Sequence, residues 1–306
     1  MPGKSSYRGY GNYEQKSNAG KLPEWIRIKR FNRKEYAKTL SIIKENNLNT
    51  VCVEADCPNR YECFSSGTAT FMILGNICTR KCLYCNIASG KPLPVDYNEA
   101  ERIRKAAEKL NLSYVVVTSV TRDDLEDGGA ELFARVIKEI RALEKTQCRE
   151  IKTEVLIPDF NGNPAAVEKV IMARPDVINH NIEAAESVFR KVRPKGDYRL
   201  SLRIIKKISK SGITAKSGLM VGLGEGFPDI KRTLADLKEN GCKIVTIGQY
   251  LRPSGSKMEV KKYYTPKEFE RIRDVGKKIG LEMIAGPMVR SSYRAEEALR
   301  QARERS

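Results

Sequence analysis

The sequence predicts an α/β fold on a parallel sheet, and three observations carry that expectation. From Thr70 onward, short β-branched runs alternate with longer amphipathic stretches, the pattern of parallel strands joined by crossover helices. Six such strand–helix pairs follow one another. At 306 residues, with 41% hydrophobic and 31% charged residues, the chain is long enough to bury a sizeable core. Six units are too few for a closed eight-stranded barrel, and spacing alone also allows a doubly wound sheet.

The elements follow in order. Residues 1–20 are rich in Gly, Ser, Asn and Tyr and read as a mobile tail. Asn32 and Glu35 have the spacing of a near capping box, and Tyr36, Leu40 and Ile43 form an apolar stripe, so a short helix leads to the first cysteines. Thr70–Leu74 reads as a buried strand and Glu99–Leu110 as a helix with Ile103, Ala107 and Leu110 on one face. Tyr114–Thr118 is a β-branched strand, and Leu132, Phe133, Val136, Ile137 and Ile140 mark the next helix. Glu154–Ile157 is a strand, Pro164–Ala173 a helix with Pro near its start, and Val177–Asn181 a strand. Helices near Ala184–Arg190 and Leu200–Ser211 precede a strand at Ile213–Val221, a helix at Ile230–Asn240 and a strand at Ile244–Gly248. Thr265-Pro-Lys-Glu268 is a capping box opening a helix with Phe269, Ile272, Val275 and Ile279.

No run approaches the roughly 18 apolar residues that span a bilayer, and the start has no apolar signal core. The net charge, 56 − 38 = +18, suits nucleic acid, an anionic surface or an acidic protein partner.

Cysteine is the most informative residue. Six of eight, Cys52, Cys57, Cys63, Cys78, Cys82 and Cys85, fall within 34 positions. A dense cluster in a chain this long points to metal and not to a disulfide framework. It divides into two triplets, CxxxxCxxxxxC and CxxxCxxC. A structural zinc takes four Cys or His ligands, and the only histidine, His180, is far downstream. A cubane held by three thiolates keeps one iron open. From the residues alone, a zinc-stabilised nucleic-acid-binding protein stays an alternative. Cys148 and Cys242 read as helix-end or core thiols, and His180 as a structural histidine.

The CxxxCxxC loop, with Tyr84 before its last cysteine, resembles the cluster loop of radical S-adenosylmethionine enzymes. The first triplet, CVEADCPNRYEC, followed closely by CTRKCLYC, looks like the lipoyl synthase family. Further motifs agree in order: LPEWIR (Leu22–Arg27), TSVTRDDLED (Thr118–Asp127), EVLIPDF (Glu154–Phe160), NHNIE (Asn179–Glu183), VRPKGDY (Val192–Tyr198), KSGLMVGLGE (Lys216–Glu225), GQYLRPS (Gly248–Ser254) and GPMVRSSY (Gly286–Tyr293). The chain departs from the family at Ala184 and Ala185. A radical enzyme that thiolates tRNA is the nearest competitor; such enzymes carry further terminal domains and spread their auxiliary cysteines.

The resemblance implies a partial (βα)6 TIM-type barrel over residues 65–262, an N-terminal tail and auxiliary-cluster extension over 1–64, and a C-terminal helix and RSSY extension over 263–306. It implies two [4Fe–4S] clusters and S-adenosylmethionine as cofactors. Cys78, Cys82 and Cys85 would hold the radical-generating cluster. Cys52, Cys57 and Cys63, with Ser292, would hold an auxiliary cluster that donates sulfur. The plain alternative for Ser291 and Ser292 is a cap on the helix starting near Ala295. The reaction implied is insertion of two sulfur atoms at C6 and C8 of a protein-bound octanoyl-lysine. Partners would be an octanoylated carrier (a glycine cleavage H protein or a 2-oxoacid dehydrogenase E2 domain), a flavodoxin or ferredoxin and an iron–sulfur carrier, with neither nucleic acid nor membrane. A cytoplasmic monomer is expected.

Ser119, Glu154, Asn181 and Arg193 lie at or just past strand ends and are candidates to bind S-adenosylmethionine, Arg193 through the methionine carboxylate; ordinary rim hydrogen bonding is the alternative. Gly222 and Gly224 suggest a tight loop around that cofactor. Arg80 and Lys81 either raise the cluster's potential or are exposed loop charge.

Overall fold

The computed structural model describes residues 22–27 and 31–304; the tail expected over 1–20 lies outside them. In chain order the strands are β1 (Asn49–Thr50), β2 (Thr70–Ile73), β3 (Ile77–Cys78), β4 (Ala88–Ser89), β5 (Tyr114–Ser119), β6 (Lys152–Leu156), β7 (Val177–Asn179), β8 (Thr214–Val221), β9 (Ile244–Gln249) and β10 (Glu282–Gly286). The helices are α1 (Arg33–Glu45), α2 (Val51–Glu54), α3 (Arg60–Ser65), α4 (Glu99–Lys109), α5 (Ala130–Gln147), α6 (Pro164–Met172), α7 (Glu186–Val192), α8 (Tyr198–Lys210), α9 (Phe227–Glu239), α10 (Pro266–Lys278) and α11 (Ala295–Glu304).

Among the described residues, eight strands form one sheet in the order β1-β2-β5-β6-β7-β8-β9-β10. Every neighbouring pair is parallel except β1 and β2. Six strand–helix units run from β2 to α10, as the spacing predicts. The sheet then gains a seventh parallel strand, β10, beyond residue 262, and a two-residue antiparallel edge, β1. β10 is hard to see in sequence because its five residues carry a charge and two small side chains.

Side-chain parity separates two interiors. Val115, Val117, Val155, Ile178, Val245 and Ile247 point into the main apolar core beneath the helices. Their strand neighbours Tyr114, Val116, Val177 and Ile244 point the other way, against Ala295, Ala298, Leu299 and Ala302 of α11. Helix α11 touches β5, β9 and β10. A ten-residue helix is about 15 Å long, whereas a flat sheet would spread those strands over roughly 24 Å. The sheet is therefore curled around α11, a barrel left open between its first and last strands. Tyr114, Val177 and Ile244 each begin their strand, so α11 closes the N-terminal end of the barrel.

Local signals hold up. Asn32 caps α1, accepting from the N–H groups of Lys34 and Glu35 at 3.0 and 3.4 Å. Thr265 and Glu268 form the reciprocal capping box of α10, at 3.3 and 2.8 Å. Ala184 and Ala185 are fully buried, Ala184 packing with Val192, Leu223 and Tyr250.

Candidate functional site

The CTRKCLYC loop leaves the C-terminal end of β2 and is closed on itself by β3 and β4. The N–H groups of Arg80 and Thr121 both point at Cys78 Sγ, at 3.4 Å. Such N–H donors to a ligand sulfur orient it and tune the metal it binds. Leu83, between the other two cysteines, is pinned on both sides: its N–H donates to the Val192 carbonyl, and its carbonyl accepts from Met258, each at 3.1 Å.

Arg80 is not an exposed loop charge. It is buried, and its guanidinium is bidentate toward two carboxylates, Asp123 at 2.8 and 2.8 Å and Asp159 at 2.6 and 2.7 Å. Asp123 lies in the loop after β5 and Asp159 in the loop after β6, so Arg80 ties the cysteine loop to two strand ends. Burial alone would raise the Asp159 carboxyl, but the Arg80 hydrogen bonds and charge hold it below the usual carboxylate range. Lys81 is exposed.

Asp159 also accepts from Arg193 Nη2 at 3.2 Å. Arg193 is buried near Cys82 and Glu183 is half-buried there: burial raises the Cys82 thiol, the Arg193 charge opposes this, and Glu183 adds to it. Glu183 adopts a left-handed φ of 70°, unusual for a residue with a Cβ. A cation and an anion thus flank the cysteine loop, complementary to the carboxylate and ammonium of an amino-acid group. The Ser119 hydroxyl, at the end of β5, is buried with no hydrogen-bond partner among the described residues. An orphaned buried hydroxyl of that kind fits a polar ligand.

Glu154 faces the barrel interior, not a strand end. It is fully buried, held by Lys216 Nζ at 2.8 and 3.0 Å and by the Tyr114 hydroxyl at 2.7 Å. Asn181 accepts a hydrogen bond from Ser291 at 2.9 Å. Gly222 has a φ of 100°, and a Cβ there would overlap the Gln249 amide and the Lys262 carbonyl, so close packing of the chain on itself accounts for this glycine. His180 is buried, with Nδ1 3.0 Å from the Ile157 carbonyl; burial, then the Arg193 charge, push its imidazole down to about 4. Cys242 is buried in the core and Cys148 caps the exposed end of α5.

The first cysteine triplet lies on and between α2 and α3, beside the open edge of the sheet. Two long-range hydrogen bonds dock the C-terminal RSSY segment there. Asn59 Nδ2 donates to the Met288 carbonyl at 2.6 Å, and the Tyr293 hydroxyl donates to Glu62 at 3.0 Å. These bridge the gap between the two ends of the sheet and bring the stretch that contains Ser292 to the helical segment that carries Cys57 and Cys63. Sequence reasoning missed Asn59, Glu62, Asp123, Asp159 and Glu183; the first two stood in plain view as the polar residues between cysteines.

The donor set fits iron–sulfur clusters. All eight cysteines are free thiols. Within each triplet the thiols feel one another. Burial, then Cys57, push Cys52 and Cys63 each up to about 12. Burial, then Cys82 and Cys78, push Cys85 to about 12. A bound metal cation offsets that burial cost by stabilising the thiolate form of a coordinating cysteine. Among the described residues no three His, Cys, Asp or Glu side chains converge on one ion. Each triplet supplies three thiols, the number with which a cubane keeps one iron open.

Residues 72–249 match the family model of the radical SAM superfamily. The chain is 50% identical over 280 residues to the lipoyl synthase of Caldicellulosiruptor saccharolyticus, covering 90% of this chain and 97% of that protein. It is 44% identical over 284 residues to the lipoyl synthase of Phocaeicola vulgatus, covering 92% and 99%. Among solved structures, Streptococcus suis SuiB bound to S-adenosylmethionine superposes with a TM-score of 0.54 at 12% identity, over 79% of this chain and 51% of that one. Methylornithine synthase superposes with a TM-score of 0.52 at 12% identity, over 83% and 75%. These two likenesses show the fold, with its parallel sheet and open barrel. With the cysteine loop at the end of the first parallel strand and relatives near 50% identity along almost its whole length, the chain belongs to the lipoyl synthase family of radical S-adenosylmethionine enzymes.

Proposed function

We propose that this sulfurtransferase inserts two sulfur atoms, at C6 and C8, into an octanoyl-lysine of a carrier protein, and that it holds two [4Fe–4S] clusters to do so. Cys78, Cys82 and Cys85 are assigned to the first cluster, and Cys52, Cys57 and Cys63 with Ser292 to the second. When bound, the first group supplies the electron that cleaves S-adenosylmethionine, and the second supplies sulfur.

The observation that carries this reading is the docking of the RSSY segment against the first triplet through Asn59–Met288 and Glu62–Tyr293. Without that contact Ser292 would be a residue near the end of the chain, more than 200 positions from the cysteines it is assigned to join. An oxygen ligand is harder than thiolate and binds iron more weakly, which suits a cluster that must be opened.

The chain's own residues divide the remaining work. The Arg80 and Thr121 N–H groups hold Cys78 Sγ in place. Arg80, clamped by Asp123 and Asp159, fixes the loop. Arg193 and Glu183 orient the amino-acid end of S-adenosylmethionine, with Ser119 and Asn181 as further polar contacts. No helix among the described residues is long and apolar enough to cross a membrane. The proposed setting is the reducing cytoplasm, with a flavodoxin or ferredoxin as reductant and an H protein or E2 domain as carrier.

The test is anaerobic incubation of reconstituted protein with S-adenosylmethionine, a reductant and an octanoyl-lysyl peptide, followed by mass spectrometry. Addition of two sulfur atoms is expected. If Cys52→Ala, Cys57→Ala and Cys63→Ala variants still thiolate the peptide, the sulfur-donor assignment is wrong.

A further inference from the structure

Two adjacent serines stand in the docked segment, and the structure treats them differently. The Ser291 hydroxyl accepts from Asn179 Nδ2 at 2.7 Å and donates to Asn181 Oδ1 at 2.9 Å. Its only proton and one of its lone pairs are therefore engaged. Ser292 makes no side-chain hydrogen bond among the described residues.

The seat under Ser291 is rigid. Asn179 ends β7, is fully buried, and its Nδ2 also reaches Glu154 Oε1 at 3.3 Å. Glu154 is fixed in turn by the Lys216 ion pair, with both side chains wholly out of solvent. Breaking a buried pair of this kind is strongly destabilising, so the seat does not shift readily. On the facing side, Gly218 leaves room for the Asn181 amide: a Cβ there would stand 2.8 Å from Asn181 Oδ1. A Cβ at Gly248 would overlap the Val289 carbonyl. Gly248 thus admits the C-terminal segment to the barrel's inner face, and Gly218 makes room for the Asn181 amide that meets it.

We propose that Ser291 is the positioning residue of the auxiliary site: Asn179 and Asn181 clamp its hydroxyl, and Tyr293 bonds Glu62, so that Ser292 between them is presented as the oxygen ligand. The two clamps lie on opposite sides of Ser292 in the chain, one on the barrel and one on the cysteine segment. The seat does for the oxygen ligand what a hydrogen-bonded carboxylate does for a metal-bound histidine: it fixes orientation before the metal arrives. Asn179 and Ser291 touch neither substrate nor iron in this role.

The inference rests on the assignment of Ser292 to the second cluster, and its test separates the two. Full-length protein carrying Cys78→Ala, Cys82→Ala and Cys85→Ala retains only the auxiliary site. In that background Ser292→Ala, Ser291→Ala and Ser291→Thr are reconstituted anaerobically. The rate at which a ferrous chelator strips iron is measured, with the cluster's electron paramagnetic resonance spectrum and a melting curve of each apoprotein. Ser291→Ala is expected to lose iron about tenfold faster, in line with the usual cost of removing a ligand's support. Ser291→Thr, which keeps the hydroxyl, is expected to strip near the parent rate. An unchanged melting temperature with faster stripping distinguishes positioning from general loosening. If Ser292→Ala strips fast and Ser291→Ala strips at the parent rate, the positioning role is refuted and the ligand assignment stands. If Ser292→Ala also strips at the parent rate, the ligand assignment itself falls.

Discussion

The Tyr293 hydroxyl donates a hydrogen bond to Glu62 at 3.0 Å, joining residues 231 positions apart. It connects α3, which carries Cys63, to the loop before α11. Removing the hydroxyl by Tyr293→Phe leaves a carboxylate short of one donor, a loss of roughly 1.5 kcal/mol. The apoprotein should melt about 3 °C lower. The auxiliary site should also retain less iron than the radical site, measured by iron analysis after gel filtration. Equal retention at both sites would separate this bond from cluster binding.

Arg80→Ala should be among the most damaging single changes outside the cysteines. It leaves Asp123 and Asp159 facing each other near the cluster loop, one of them buried, without their shared cation. Loss of about 3–5 kcal/mol is expected in urea denaturation. Arg80→Lys keeps the charge but cannot serve two carboxylates with a planar fork, and should fall between. An Arg80→Ala protein as stable as the parent would show that the clamp is not needed.

His180 sets a pH dependence with a definite sign. Its folded-state value, about 4, lies below the ordinary 6.5 because burial disfavours the imidazolium. Between those values the unfolded chain binds a proton that the folded chain does not. Its contribution is therefore fully present above pH 6.5 and is lost as pH falls from 6.5 through 4. The gap is worth roughly 3 kcal/mol. Melting curves of apoprotein across that window should show the parent losing more than His180→Gln. Parallel curves would remove His180 from the account.

The net charge of +18 is proposed to steer acidic carrier domains and an acidic reductant toward the barrel. Turnover at fixed, subsaturating carrier should fall as ionic strength rises, because screening shortens the reach of the field to about 10 Å at 0.1 M salt. A rate that does not change with salt would refute steering.

What the sequence revealed, and what it concealed, follows from range. The caps Asn32 and Thr265, the alternating strands and the cysteine triplets depend on residues within a turn or two, and each is visible as spacing. Sequence leaves Arg80 as either a cluster-tuning cation or a solvated loop charge, because Asp123 and Asp159, the groups that clamp it, are 43 and 79 residues away. Gly222 suggested a ligand loop, yet it is Gln249 and Lys262 that crowd it. Glu154 was placed at a strand end, and its parity alone turns it inward to Lys216. The RSSY motif could be recognised as a string of residues, but its neighbours Asn59 and Glu62 became apparent only once β10 had carried the chain back across the open edge.

Helix α11 fills the lower end of the barrel with Ala295, Ala298 and Ala302, side chains small enough to let it sit directly against the strand starts. The interior is consequently closed at that end, and the opposite end is the one from which the cysteine loop leaves β2. A group that reaches the buried Glu154, Lys216 and Asn179 must therefore come from the same side as the cysteine loop, because α11 blocks approach from below.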